Sequence, residues 1–140
     1  MIKARPAVSE APIYAPSLEE IEGLAGEAFL SLPERFRRPV ADIVFRVEEF
    51  PDEETEEELV LESPFDLLGL YRGVSLAEAG HDDPPRTPAL IFLYRRPILD
   101  YWCETGEDLL HVVRHVLIHE IGHHLGLSDE DMERIEDEAG

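Results

Sequence analysis

The chain has 140 residues, 44% of them apolar, which sets the scale of one domain with one proper core. Its 12 Lys plus Arg against 32 Asp plus Glu give a formal net charge of -20, which repels a phosphate backbone and an anionic membrane surface and so excludes nucleic acid and membrane as expected partners. The single cysteine, Cys103, rules out an intrachain disulfide and a thiolate-rich structural zinc site, so a bound metal has to use histidines and carboxylates.

No apolar run is long enough to span a bilayer, and Met1 to Val8 carries charge with no apolar segment behind it, so a cytoplasmic protein is expected. Residues 1–16, with Pro6, Pro12 and Pro16, read as an extended or loosely ordered arm ahead of a single domain over 17–140. Ser17-Leu-Glu-Glu20 is a capping-box pattern, and Leu18, Ile21, Leu24, Ala25, Ala28 and Phe29 follow at helical spacing until Pro33 stops the run. Asp42 to Glu49 is rich in β-branched and aromatic residues and partly alternates, which predicts a strand with one buried face. Pro51 and the acidic run Asp52 to Glu58 predict a turn or a short exposed helix, and the charge run itself reads as a solvated face.

From Ser63 to Pro88 the density of Gly, Pro and Asp predicts a long loop, of the kind that often frames a site. Ala89 to Tyr94 is the second strand, ended by Arg95, Arg96 and Pro97, with a short helical turn through Trp102. Glu107 to Leu125 is the longest helix, because no proline interrupts it and Leu109, Val112, Val113, Val116, Leu117 and Ile121 make a broad apolar face. Gly126 is placed to close that helix, and Ser128 with Asp131 to cap a last one over Asp129 to Glu138.

The chemistry is concentrated in His119-Glu120-Ile-Gly-His123 on the long helix, an H-E-x-x-H pattern. Residues four apart lie about 40° apart around a helix and about 6 Å apart along it, so the two imidazoles can converge on one ion. Glu120 flanks the same edge, placed to hydrogen-bond a metal-bound water rather than to ligate. It is therefore the expected general base, acting on a zinc-bound water whose pKa falls to about 7.

A catalytic zinc has three protein ligands, and the segment after His123 offers the third. Asp129 is preferred, because Gly126 gives a reason for the turn that brings it back, with Glu130, Asp131 and Glu133 as competitors. His111 and His115 extend the four-residue spacing backwards, but the drift carries them toward the polar side, where solvent exposure is the simpler expectation. His124 falls within the apolar arc and reads as a core or supporting histidine.

The run His119-Glu-Ile-Gly-His-His-Leu-Gly-Leu-Ser-Asp129 resembles the extended H-E-x-x-H-x-x-G-x-x-H/D motif of metzincins. The tail Gly126 to Met132 and Leu68-Gly-Leu-Tyr-Arg-Gly73 look more like the small bacterial zincin-like metallopeptidases, a likeness that covers residues 17–138. It implies an α+β minimal zincin-like fold, a small mixed sheet packed on a long active-site helix with flanking helices. It also implies one zinc per chain, with His119, His123 and Asp129 as ligands and Glu120 as general base. Only 11 residues follow Asp129, so the Met-turn and C-terminal subdomain of true metzincins are not expected. In larger zincins an edge strand pairs with the substrate backbone; Ala89 to Tyr94 is the expected counterpart, and Tyr71, Tyr94 or Tyr101 the expected oxyanion donor.

The expected activity is thus a zinc-dependent metallopeptidase acting on peptides or unfolded protein segments. The alternative is a non-catalytic, metal-stabilised binding or regulatory module whose acidic surface recruits a partner. A metal-dependent ribonuclease, suggested by a similar histidine spacing in a bacterial rRNA-maturation family, is opposed by Glu120 and by the negative charge.

Overall fold

A computed structural model describes residues 14–73 and 90–140. The expected arm before Tyr14, and the expected loop from 74 through 88 together with Ala89, lie outside the described residues.

Ser17 starts helix α1 (Leu18–Leu30) as a reciprocal capping box: its Oγ accepts from the Glu20 N–H at 3.1 Å, and its own N–H donates to Glu20 Oε1 at 3.3 Å. Ile21, Ala25 and Ala28 bury the inward stripe. Pro33 ends this run as expected, yet it also opens a short helix α2 (Glu34–Arg37), since a proline ahead of a first turn removes no needed donor. A single turn at Arg38–Val40 follows, and Phe36 and Val40 anchor this connection in the core.

Strand β1 (Val44–Glu48) follows, then helix α3 (Glu53–Leu59), capped by the Asp52 carboxylate accepting from the Thr55 N–H at 2.8 Å. Strand β2 (Gly69–Arg72) lies inside the stretch expected as loop. Strand β3 (Leu90–Tyr94) leads directly into helix α4 (Arg95–Thr105), longer than the expected single turn. Helices α5 (Leu109–Leu125) and α6 (Asp129–Ala139) complete the chain, and no helix among the described residues is long and apolar enough to cross a membrane.

The three strands form one mixed sheet in the order β1-β3-β2, with β1 parallel and β2 antiparallel to β3. This corrects the expectation for Ala89 to Tyr94: Leu90–Tyr94 is the central strand, paired on both sides, and β2 is an edge among the described residues. Strand alternation assigns the faces. Phe45 and Val47 of β1, Ile91 and Leu93 of β3, and Gly69 and Tyr71 of β2 share a register and face the helices. Ile91 and Leu93 are fully buried there beside Ile21, Val113, Leu117 and Ile121, each such side chain contributing about 1.5–3 kcal/mol of apolar burial.

Gly69 is the residue that lets β2 lie against α5. A Cβ there would stand 2.5 Å from Val116 Cγ1 and 3.1 Å from the Phe92 carbonyl oxygen. Any larger residue would push the edge strand off the helix that carries the histidines. The observed α+β arrangement, a small mixed sheet on a long helix with flanking helices, is the one expected from the sequence.

Candidate metal centre

The end of α5 is fixed by backbone geometry. Gly126 adopts φ 72°, its N–H bonds to the His123 carbonyl at 3.2 Å, and the Leu127 N–H reaches back to the Gly122 carbonyl at 2.9 Å. This is the double closure of a Schellman turn, and it needs a residue tolerant of the left-handed region at Gly126. Ser128 then caps α6, its Oγ accepting from the Asp131 N–H at 3.2 Å. Two helices are joined by three residues, so α6 folds back along α5, and Met132 and Ile135 enter the core. Positions 129, 133 and 136 recur at helical spacing on one face of α6.

That face meets the histidine stripe of α5. A cavity of about 250 Å3 between the helices is lined by His115 and His119 from α5 and by Asp129, Glu133 and Glu136 from α6. The rings of His115 and His119 are 4.3 Å apart between centroids, and His115 Nδ1 is in contact with Glu136 Oε1. His115 is exposed, as its place on the polar arc suggests, and it is nonetheless part of this cluster. Burial first, and His115 beside it second, hold the His119 imidazole below its ordinary pKa, against the opposing pull of Glu136, which favours the neutral ring and the one lone pair it offers a metal.

Glu120 and His123 look to the other side of the helix stripe. The Tyr71 backbone N–H, on β2, donates to Glu120 Oε2 at 2.9 Å, and His123 Nδ1 lies 3.8 Å from the same oxygen. The Glu120 side chain keeps 16% of its surface and that of His123 keeps 60%. Burial pushes the Glu120 carboxyl up, while the Tyr71 N–H and His123 pull it back down. A carboxyl so placed takes a proton more readily than a solvated one, the property a general base near neutral pH requires.

His124, the supporting histidine, is buried and its Nδ1 is 2.5 Å from the Tyr71 hydroxyl. Tyr71 therefore touches both Glu120, through its backbone, and His124, through its side chain. Of the other two tyrosines considered, Tyr94 lies on the far face of the sheet, in a separate cavity of about 570 Å3 with Arg46, Glu48, Asp52 and Arg72, where burial pushes its hydroxyl up to about 12. Tyr101 is exposed on α4.

Of the four site residues expected from sequence, His119 and Asp129 line the inter-helix cavity, and Glu120 and His123 pair beside β2. Among the described residues, the three whose donor atoms lie close enough to share an ion are His115, His119 and Glu136, all within 4.8 Å of one another. Glu136 was not singled out by sequence. Its only signal there was an i, i+3 relation to Glu133, and the angle at which α6 returns to α5 is a property of the folded chain.

The chain belongs to the zincin-like metallopeptidase family, whose model matches residues 40–139, from the turn before β1 to the end of α6. Comparison with curated proteins finds no match. Membership points to a zinc cofactor and to peptidase activity, and the imidazole and carboxylate donors gathered between α5 and α6 are of the type zinc takes.

Proposed function

We propose that the protein is a zinc-dependent metallopeptidase in which His119, His123 and Asp129 hold one zinc and Glu120 is the general base. The observation that carries this reading is the Glu120 carboxylate, half-buried on the H-E-x-x-H helix and held at 2.9 Å by the Tyr71 N–H of strand β2. The donor set fits zinc: two imidazoles one helical turn apart on α5, and the first acidic side chain after the Gly126 turn, which shares a cavity with His119. Zinc, when bound, polarises a water and lowers its pKa from 15.7 to about 7.

The chain's own groups supply the rest. Glu120 takes the proton of the attacking water and hands it to the leaving nitrogen, the task for which its raised proton affinity suits it. Tyr71 orients Glu120. The Tyr94 N–H bonds to the Leu68 carbonyl at 3.0 Å, so by antiparallel alternation Leu70 and Arg72 point their backbone groups at β3, and the Tyr71 N–H points away from it, toward Glu120.

The preferred substrates, as membership of the family suggests, are peptides or unfolded protein segments in the cytoplasm, with neither nucleic acid nor membrane as partner. The net charge of -20 supports the exclusion of both anionic partners and favours peptides with basic residues. Zinc content and peptide cleavage, measured on the wild type and on ligand and base variants, test the reading.

A further inference from the structure

We propose that His115, His119 and Glu136 form a second cation site, for a first-row transition-metal ion, which shares His119 with the H-E-x-x-H set and competes with it for that imidazole. The ligand atoms of the three residues lie within 4.8 Å of one another. Donors around one zinc at bond lengths of about 2.0–2.2 Å stand roughly 3.3–4.4 Å apart, so the cluster needs only small side-chain shifts to close on an ion.

The placement has structural causes. His115 and His119 are one helical turn apart on α5, with ring centroids separated by 4.3 Å. Glu136 is carried in by α6 and already touches His115 Nδ1. Asp129 and Glu133 line the same cavity of about 250 Å3 and add negative potential without further nitrogen donors. Two imidazoles and one carboxylate suit zinc, cobalt, nickel or iron, and disfavour calcium and magnesium, which require oxygen donors.

His123 is absent from this cavity's lining and lies 3.8 Å from Glu120 on the other side. An ion seated between the helices draws His119 toward His115 and away from His123. The competition rests on the peptidase reading above; the site itself does not.

The test uses cobalt(II) as probe on the full-length His123→Ala/Asp129→Asn protein, which lacks two of the three H-E-x-x-H ligands and keeps the proposed trio. Both replaced residues are exposed, and circular dichroism checks the fold. The expected result is about one tightly held cobalt per chain with the intense visible absorption of low-coordinate cobalt, lost when His115→Ala and Glu136→Gln are added. A folded His123→Ala/Asp129→Asn protein that holds no cobalt overturns the proposal. So does equal binding by the quadruple variant, which would assign the cobalt to the diffuse acidic surface. The same titration on His123→Asn/Asp129→Asn serves if the first variant folds poorly. Failure of the peptidase reading shows elsewhere, as wild-type protein that binds zinc without cleaving peptides, and leaves this titration unaffected.

Discussion

The backbone N–H of Tyr71 donates to Glu120 Oε2 at 2.9 Å, across from strand β2 to helix α5. The proposed base is thus positioned by main chain, and the contact survives any side chain at residue 71 that keeps the strand. Tyr71→Phe removes only the hydroxyl that meets His124 Nδ1 at 2.5 Å. The expected outcome is a loss of about 0.5–1.5 kcal/mol in denaturant unfolding, with Glu120 still in place and turnover largely retained. A collapse of turnover at unchanged stability would make the hydroxyl itself a participant.

Glu120→Gln keeps an oxygen to accept from the Tyr71 N–H and loses the basic carboxylate. Turnover on a peptide substrate is expected to fall roughly 10²–10⁴-fold, with metal content unchanged by elemental analysis. Retained metal together with retained turnover would remove Glu120 from its role.

The same substitution has a pH signature in the metal-free protein. Burial raises the Glu120 carboxyl above its ordinary value, so the ionised form is the one that opposes folding. Below the unfolded value, near pH 4.3, the carboxyl is neutral in both states and carries no penalty. As pH rises through the folded value the penalty grows to its full size and stays there. Glu120→Gln is therefore expected to melt higher than wild type at neutral pH, with the difference shrinking as the pH falls toward 4.3. Differential scanning fluorimetry across that range in the presence of chelator reads it, and a difference of the opposite sign at neutral pH contradicts the burial.

Gly122 packs against the last helix. A Cβ at that position would stand 2.8 Å from Met132 Cγ and closer still to its sulfur, and Met132 is 1% exposed. Gly122→Ala is expected to cost about 1–3 kcal/mol by overpacking, and to reduce zinc affinity because α6 carries Asp129. Gly122→Ala/Met132→Ala should recover part of the loss, as coupling in a double-mutant cycle.

The long helix, its glycine stop and the cap of the next helix were legible in sequence because each is local. The apolar face from Leu109 to Ile121, the left-handed Gly126 and the Ser128 cap obey rules spanning only a few residues. Strand β2 was not legible. It is four residues long, begins at a glycine and owes its place to the contact of Gly69 with Val116 on a distant helix. The central position of β3 was hidden for a related reason, since strand order is set by which neighbours pair in space and not by the strand's own residues. The His115–Glu136 contact joins residues 21 apart and depends on how α6 returns after the Gly126 turn. Periodicity correctly put His115 on an exposed arc and had no means of showing what folds over that arc.

The central claim is tested most directly by measuring zinc per chain and cleavage of a peptide library together, on the wild type and on His119→Ala/His123→Ala. The account predicts about one zinc per wild-type chain and chelator-sensitive cleavage, both lost in the variant. Zinc bound by a wild type that cleaves nothing would contradict it in favour of a metal-stabilised binding module, and a wild type that takes up no zinc from a replete solution would contradict it outright.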